Sequence, residues 1–284
     1  MKLALDNCSA TTLLLNLTAF YKNIKGLVNV QNQQFQRVEG GQTLNAIVPV
    51  NSDFGTTKGL AFSLDITNLS YFSVSAQYTF SIAEGTGSSQ SSSQTAVFRN
   101  DDRQAPAVIA PLDFDQRHTG TVNIDFYIPK GELGLFEMLN LNFLLSFNSG
   151  RPYTPVDRWN LVGDNGIIAS NNGYINSRYG PSQFRVDMRM EKTFEIAGVR
   201  FSPYLWVQNL FDTDNVVNVY RSTGDPETSG FLLTELGQST AAQNEQANPG
   251  WTEDYMALER TPFNFGIPRL IRLGVKLNLD TIGL

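Results

Sequence analysis

Apolar and polar residues alternate with a period of two along most of this chain, the spacing that puts successive side chains on opposite faces of a β-strand. The clearest stretch is Phe72-Ser73-Val74-Ser75-Ala76-Gln77-Tyr78-Thr79-Phe80-Ser81-Ile82. Its even positions are all apolar and its odd positions are all Ser, Gln or Thr. The same pattern predicts strands over 13–21, 60–67, 121–128, 139–148, 184–191, 201–208 and 271–279. Helical spacing is nearly absent. With 72–82 these make eight segments, most of them close to the ~9–11 residues that cross a bilayer as a tilted strand.

The connections follow their own rhythm. Long ones at 22–55, 84–117, 151–181 and 209–267 alternate with short ones at 68–70, 129–137 and 195–199. A membrane barrel has this alternation, with short periplasmic turns and long extracellular loops. The expected fold is therefore all-β, an antiparallel transmembrane β-barrel segment of about eight strands. The first strand would run outward and the eighth inward, ending in the periplasm. Pro129-Lys130-Gly131 and Ala197-Gly198 supply turn residues on the short side. On the long side, Gly85 to Gln94 is a Gly/Ser/Gln tract, and 238–250 is rich in Gln, Asn, Ala and Ser, so both read as surface loop.

Composition narrows the reading. No run reaches the roughly 18 apolar residues of a membrane helix, although 41% of the 284 residues are hydrophobic. The net charge of −6 comes without any basic stripe and argues against a nucleic-acid partner. Cys8 is the single cysteine, so no internal disulfide and no cysteine metal cage is expected. Met1 to Asn7 carries no apolar stretch of signal-peptide length, because Asp6 and Asn7 interrupt it.

Candidate functional residues are few. Arg185, Asp187, Arg189 and Glu191 form a charged ladder on the polar face of one strand. Such a row is costly against lipid, so a lumen-facing position is expected. His118 is the only histidine and has no evident catalytic partner, so neither an enzyme nor a cofactor is expected. Asp212-Thr213-Asp214-Asn215 lacks the spacing of a Ca²⁺ loop and reads as a turn. In the last segment, Arg272, Gly274, Leu277 and Leu279 fall in the order polar, Gly, apolar, apolar. This resembles the signal by which the β-barrel assembly machine recognises a closing strand. Gly274 would let the partner backbone approach, and Leu277 and Leu279 would supply outward contacts. The usual terminal aromatic is missing.

Several blocks together resemble the C-terminal part of the β-barrel of a TonB-dependent outer-membrane receptor. They are Leu17 to Val28, Asp53 to Leu60, Phe114-Asp115-Gln116-Arg117-His118, Ser149-Gly150-Arg151-Pro152-Tyr153-Thr154-Pro155, Val207-Gln208-Asn209-Leu210-Phe211-Asp212 and the terminal strand. They span nearly the whole chain in the family's order. The family's barrel has about 22 strands around an N-terminal plug, whereas this chain supplies about eight and no plug. Residues 1–284 are thus expected to form the C-terminal portion of such a barrel. The resemblance implies import of a scarce nutrient (siderophore, cobalamin, oligosaccharide or peptide) across the bacterial outer membrane. Energy would come from the TonB complex through the plug, and the fragment alone would not transport. Outer-membrane lipid and the assembly machine are the other implied partners. The competing expectation is a complete eight-stranded barrel with a structural or adhesive role.

Overall fold

A computed structural model of the chain describes residues 2–6, 12–36, 43–88, 108–156, 173–196 and 199–278. The strands are β1 (Lys2–Asp6), β2 (Thr12–Gln36), β3 (Thr43–Leu69), β4 (Phe72–Gly85), β5 (Ala110–Pro111), β6 (His118–Tyr127), β7 (Leu139–Asn148), β8 (Pro152–Tyr153), β9 (Arg178–Tyr179), β10 (Gln183–Lys192), β11 (Phe194–Ile196), β12 (Val199–Gln208) and β13 (Leu270–Asn278). Eleven of them make one antiparallel sheet in the order β1-β2-β3-β4-β6-β7-β10-β12, with β11 and β13 both on β12 and β5 on β4. β8 and β9 pair separately. Among the described residues, β1 pairs only with β2 and β13 only with β12. None of the described helices is long and apolar enough to cross a membrane.

The eight expected segments are the eight long strands, and their register explains why the alternation matters. One row runs Leu13–Ile66–Val74–Ile124–Phe143–Met188–Val207–Ile271 through directly paired residues of all eight. One residue along, Ser73–Asp125–Asn142–Arg189–Trp206–Arg272 runs on the other face. A slip of one residue at any pair would move a polar side chain into the apolar row, so the register is strongly specified. Much of the apolar face stays uncovered, Leu273 being 79% exposed and Leu17 54%, while Val186 and Val207 are buried. A sheet with that much apolar surface open requires an apolar surrounding or a second layer to cover it.

Four features differ from the sequence expectations. First, 22–55 is not a long loop. β2 and β3 pair from Thr12↔Thr67 out to Gln36↔Thr43, with a bulge at Lys25–Val28 and Gly26 at φ 72°. The backbone ladder continues past the point where the amphipathic pattern stops, so side-chain periodicity no longer reveals it. Second, Lys2–Asp6 is a strand on the β2 edge. Third, 209–267 holds two helices, α1 (Glu235–Ala247) and α2 (Trp251–Glu259). Fourth, residues in the expected short connection 195–199 extend strands: Phe194–Ile196 folds back on the foot of β12. Cys8, Ser89 to Gln94, Ala197-Gly198 and Leu279 lie outside the described residues.

Three glycines in this sheet lie opposite aromatic residues of the neighbouring strand. Phe20 lies opposite Gly59, Tyr78 opposite Gly120, and Tyr204 opposite Gly274. A Cβ on Gly274 would come 2.7 Å from Tyr204 Cε1, and one on Gly59 would come 2.7 Å from Phe20 Cζ. On its β12 side, then, Gly274 is covered by an aromatic side chain. A ring laid over a glycine restores the cross-strand contact that the missing side chain forgoes.

Candidate functional site

The polar face carries a hydrogen-bonded network that spans the sheet. Ser75 donates to Asp65 Oδ1 at 2.5 Å, and Asn123 Nδ2 donates to Asp125 Oδ2 at 2.7 Å. Asn142 Nδ2 donates to both Asn123 Oδ1 and Asp125 Oδ1, at 2.7 and 2.8 Å. The four ladder residues lie on this face and pair in twos. Arg185 meets Asp187 at 3.1 Å and Arg189 meets Glu191 at 3.0 Å. Across the sheet Lys276 Nζ reaches Glu191 at 2.7 Å. Arg189 lies 5.2 Å from the Tyr204 ring centroid, and Arg272 lies 4.9 Å from that of Trp206. The ladder is therefore the core of a larger patch built from β10, β12 and β13. Its aromatic members follow from the register, which residue spacing within one strand does not disclose.

At the end of the sheet where the long loops meet, buried polar groups fasten the loops down. Asp115, 1% exposed, accepts from Ala83 N at 2.8 Å, Tyr179 Oη at 2.7 Å and Arg117 Nε at 3.3 Å. Burial pushes the Tyr179 phenol up, and its bond to the Asp115 carboxylate adds to the shift. Asn176 ties a second loop to the first, donating to Pro111 O at 2.8 Å and to Asp113 Oδ1 at 2.7 Å. Nearby, Asn29 Nδ2 and Thr86 Oγ1 donate to Asp53 Oδ1 at 2.7 and 2.9 Å. In the Phe114–His118 and Asp53–Leu60 blocks, then, the acidic residue is an anchor: each carboxylate satisfies donors from other segments.

Between these loops and the segment after β12 lies a cleft of about 520 Å³, lined by Gln116, Arg151, Tyr153, Gln183, Val217 and Arg221 among others. Gln183 Nε2 donates to Val216 O and Arg221 Nε to Thr154 O, each at 2.7 Å. Tyr153 sits over Gly224, where φ is 78° and a Cβ would stand 2.5 Å from its hydroxyl. The lining mixes amide, phenol and guanidinium donors with Val217 and Val219. Such a surface can hold a polar ligand by several directed bonds.

The 209–269 segment is a packed cap. Asn209, 1% exposed and at φ 54°, donates through Nδ2 to Thr213 O and Ile267 O at 3.0 and 3.1 Å and accepts from Thr213 N at 3.0 Å. Its own N–H goes to Asp187 Oδ1 at 2.9 Å, which joins the cap to the ladder. Asp212 accepts from Arg269 N at 2.8 Å and pairs with its guanidinium at 3.5 Å. The hydrogen-bonded turn thus lies at Asn209–Asp212, where Asp212 N donates to Asn209 O at 3.0 Å, and the Asp212–Asn215 stretch leads out of it beside Arg269. Further out, Phe231 and Tyr255 are both buried, with ring centroids 5.8 Å apart. The Glu259 carboxylate, 2% exposed, accepts from Ser229 N at 3.0 Å, from the Ser229 hydroxyl and from Thr228 Oγ1 at 3.2 Å. Thr234 caps α1 by accepting from Gly237 N at 2.9 Å. Glu245 accepts from Gly250 N at 2.6 Å and from Thr252 N and Oγ1 at 3.0 Å, at the start of α2.

The remaining singled-out residues have plain surroundings. His118 Nδ1 meets Tyr78 Oη at 2.7 Å on the apolar face. Ser149 Oγ accepts from the His118 backbone N–H at 3.1 Å rather than from its ring. In β13, Leu277 is 67% exposed on the apolar face, and Arg272 and Gly274 lie on the polar one. Asn176 and Glu259 lie outside every block that the sequence marks, because a buried polar residue in a loop has no periodic signature.

No family model matches the chain, and no curated protein matches it. Among solved structures, the chain is similar to the outer membrane transporter YddB from Escherichia coli, with a TM-score of 0.45 at 11% identity. The match covers 76% of this chain and 28% of that one, so the chain spans under a third of that protein's length.

Proposed function

We propose that this sheet is a sector of the wall of a bacterial outer-membrane β-barrel that imports a scarce nutrient, with energy delivered through TonB. The observation that carries the reading is the apolar row paired through all eight long strands, backed by a polar face of charged pairs and amide networks. Water on the apolar face would leave that surface unfavourably exposed, whereas lipid matches it. The charged ladder then faces the lumen, the long loops and the cap face outward, and the cleft stands at the mouth where cargo enters. Both sheet edges carry unpaired backbone groups among the described residues, and these cannot stay unpaired in hydrocarbon. Further strands therefore complete the wall, and β13 offers Arg272, Gly274 and Leu277 to the assembly machine. Siderophore, cobalamin, oligosaccharide and peptide are the cargo classes the reading allows. A transport wall rather than an enzyme also suits His118, whose ring is engaged with Tyr78.

The test uses the full-length protein in its own outer membrane with Cys8→Ser and one new cysteine at a time. Ser73→Cys should react with a water-soluble maleimide and Val74→Cys should not; equal reaction at both overturns the wall assignment. Energisation is tested by cargo uptake in cells lacking TonB. Uptake at the undiminished rate there would remove TonB from the reading.

A further inference from the structure

A second cavity lies on the apolar face near the short-turn end, about 620 Å³ in volume, lined by Met190, Lys192, Phe194, Pro203, Leu205 and Val275 among others. Its position follows from the register. Pro203 pairs with Val275, and these two short side chains sit between the larger Leu205–Leu273 pair and the Phe194–Phe201–Leu277 row. The result is a trough with tall apolar sides. Its aromatic end is reinforced by Phe194 and Phe201, stacked with centroids 5.1 Å apart and planes 16° from parallel.

One residue does not belong on a purely apolar trough. Lys192 lines it, on the face that otherwise carries Met190, Phe194 and Leu205. Its ammonium lies 5.4 Å from the Phe194 ring centroid and donates to the backbone carbonyl of Glu137. Among the described residues no carboxylate pairs with it. The Glu137 carboxylate is turned to Gly131 N at 2.7 Å, Glu195 takes Lys130 at 2.6 Å, and Glu191 on the opposite face takes Lys276. An ammonium has three N–H donors, and the Glu137 carbonyl uses one. A cation at the lip of an apolar trough, next to an aromatic pair, has the arrangement that meets an acyl chain and its phosphate together.

We infer that this trough binds a glycerophospholipid of the inner leaflet, its acyl chain along Pro203 and Val275 and its phosphodiester on Lys192. The inference rests on the membrane-wall reading. No other feature of the apolar face calls for a specific lipid, since a plain apolar row contacts bulk chains without preference. Charge complementarity at Lys192 is what selects a headgroup.

The experiment takes the full-length protein, purified from the outer membrane in mild detergent, and weighs it intact by native mass spectrometry. It is then reconstituted into nanodiscs of phosphatidylglycerol or phosphatidylethanolamine and weighed again. The unaltered protein should retain one phospholipid. K192Q, which removes the charge, and V275F, which fills the trough, should each lower retention on the order of fivefold or more. K130Q, whose ammonium meets Glu195 away from the trough, should retain it. Both lipids share the phosphodiester, so retention of either supports the site and their ratio reports the headgroup's contribution. Equal retention by K192Q and the unaltered protein overturns the proposal, as does finding only lipopolysaccharide, an outer-leaflet lipid, in the retained mass. If V275F does not assemble, K192Q decides the matter alone. A protein that fails to fractionate with the outer membrane would instead overturn the wall reading. An intact barrel that retains no phospholipid would overturn only the site.

Discussion

The strand wall and the 209–269 cap are made from the same chain by opposite rules. In the cap an aromatic pair turns inward, Phe231 and Tyr255 being each 4% exposed and packed on one another, while Leu233, Leu236 and Phe263 stay at the surface. In the wall large apolar side chains turn outward, Leu273 being 79% exposed, while charges and amides hold one another on the other face. Each region is stable only in its own surrounding. The cap hides its aromatic pair from water, and on the membrane-wall reading the wall presents hydrocarbon to lipid while keeping its polar groups satisfied within the protein. The boundary is sharp. At Asn209, one residue past β12, a fully buried amide and a left-handed backbone turn the chain from one rule to the other.

The comparison breaks most readily if a charge is placed on the wrong face of the wall. Ala76→Arg, on the apolar face near the middle of the alternating stretch of β4, should cost about 2–4 kcal/mol in reversible folding into vesicles. Gln77→Arg, one residue away on the polar face, should stay within about 0.5 kcal/mol. Equal costs would mean that the two faces share one surrounding.

A smaller effect is expected in the cap. Glu259→Ala leaves the Ser229 N–H and hydroxyl without their acceptor, a loss of about 1–3 kcal/mol confined to the cap. Amide hydrogen exchange should quicken over 228–259 and stay unchanged in the wall. Quickening in both would show that cap and wall unfold as one unit.

The smallest effect is a pH dependence at the start of α2. The Gly250 and Thr252 backbone N–H groups, with the Thr252 hydroxyl, hold the Glu245 carboxyl below the usual carboxylate range. A carboxyl depressed in the folded state contributes its full stabilisation above the ordinary range and loses it as pH falls through the folded value. The protection of the α2 amides, taken relative to their intrinsic exchange rate at each pH, should therefore fall in mild acid, and Glu245→Gln should make that protection insensitive to pH there. Undiminished sensitivity in that variant would assign the effect to another group.

What could be read from the sequence divides along the same boundary. The wall was legible because its faces are periodic: each of the eight long strands shows its alternation in the chain, and pairing them in order needs only short turns on one side. β2 and β3 beyond Tyr21 and before Leu60 were not legible. Outside the apolar band, neither face of a hairpin has to be apolar, so the ladder persists without a pattern. The cap was also hidden. The composition of α1, from Glu235 to Ala247, is that of a polar loop, and its helix depends on the Thr234 cap and on a small aromatic cluster contributed from 231, 251 and 255. The ladder was visible as charges on one strand. Its stacking on Tyr204 and Trp206 depends on a register that only the folded sheet defines. The anchors Asp115, Asn176, Asn209 and Glu259 act across long sequence separations, which no local pattern records.

The β2–β3 hairpin is also a mechanical object. Beyond the Gly55–Gly85 pair, where β4 stops pairing with β3, residues 25–36 and their partners make a blade on the order of 40 Å long at about 3.3 Å per residue. That overhang exceeds the thickness of a bilayer's hydrocarbon core, about 30 Å. Whatever pushes on its tip acts with the leverage of its full length, and the load comes to bear at its root. There Asn29, Asp53 and Thr86 cross-brace the blade to the end of β4, beside the bulge at Gly26. A buried carboxylate shared by two donors is a stiff but breakable fastener, so this root is where a collision at the tip would be converted into bending of the wall.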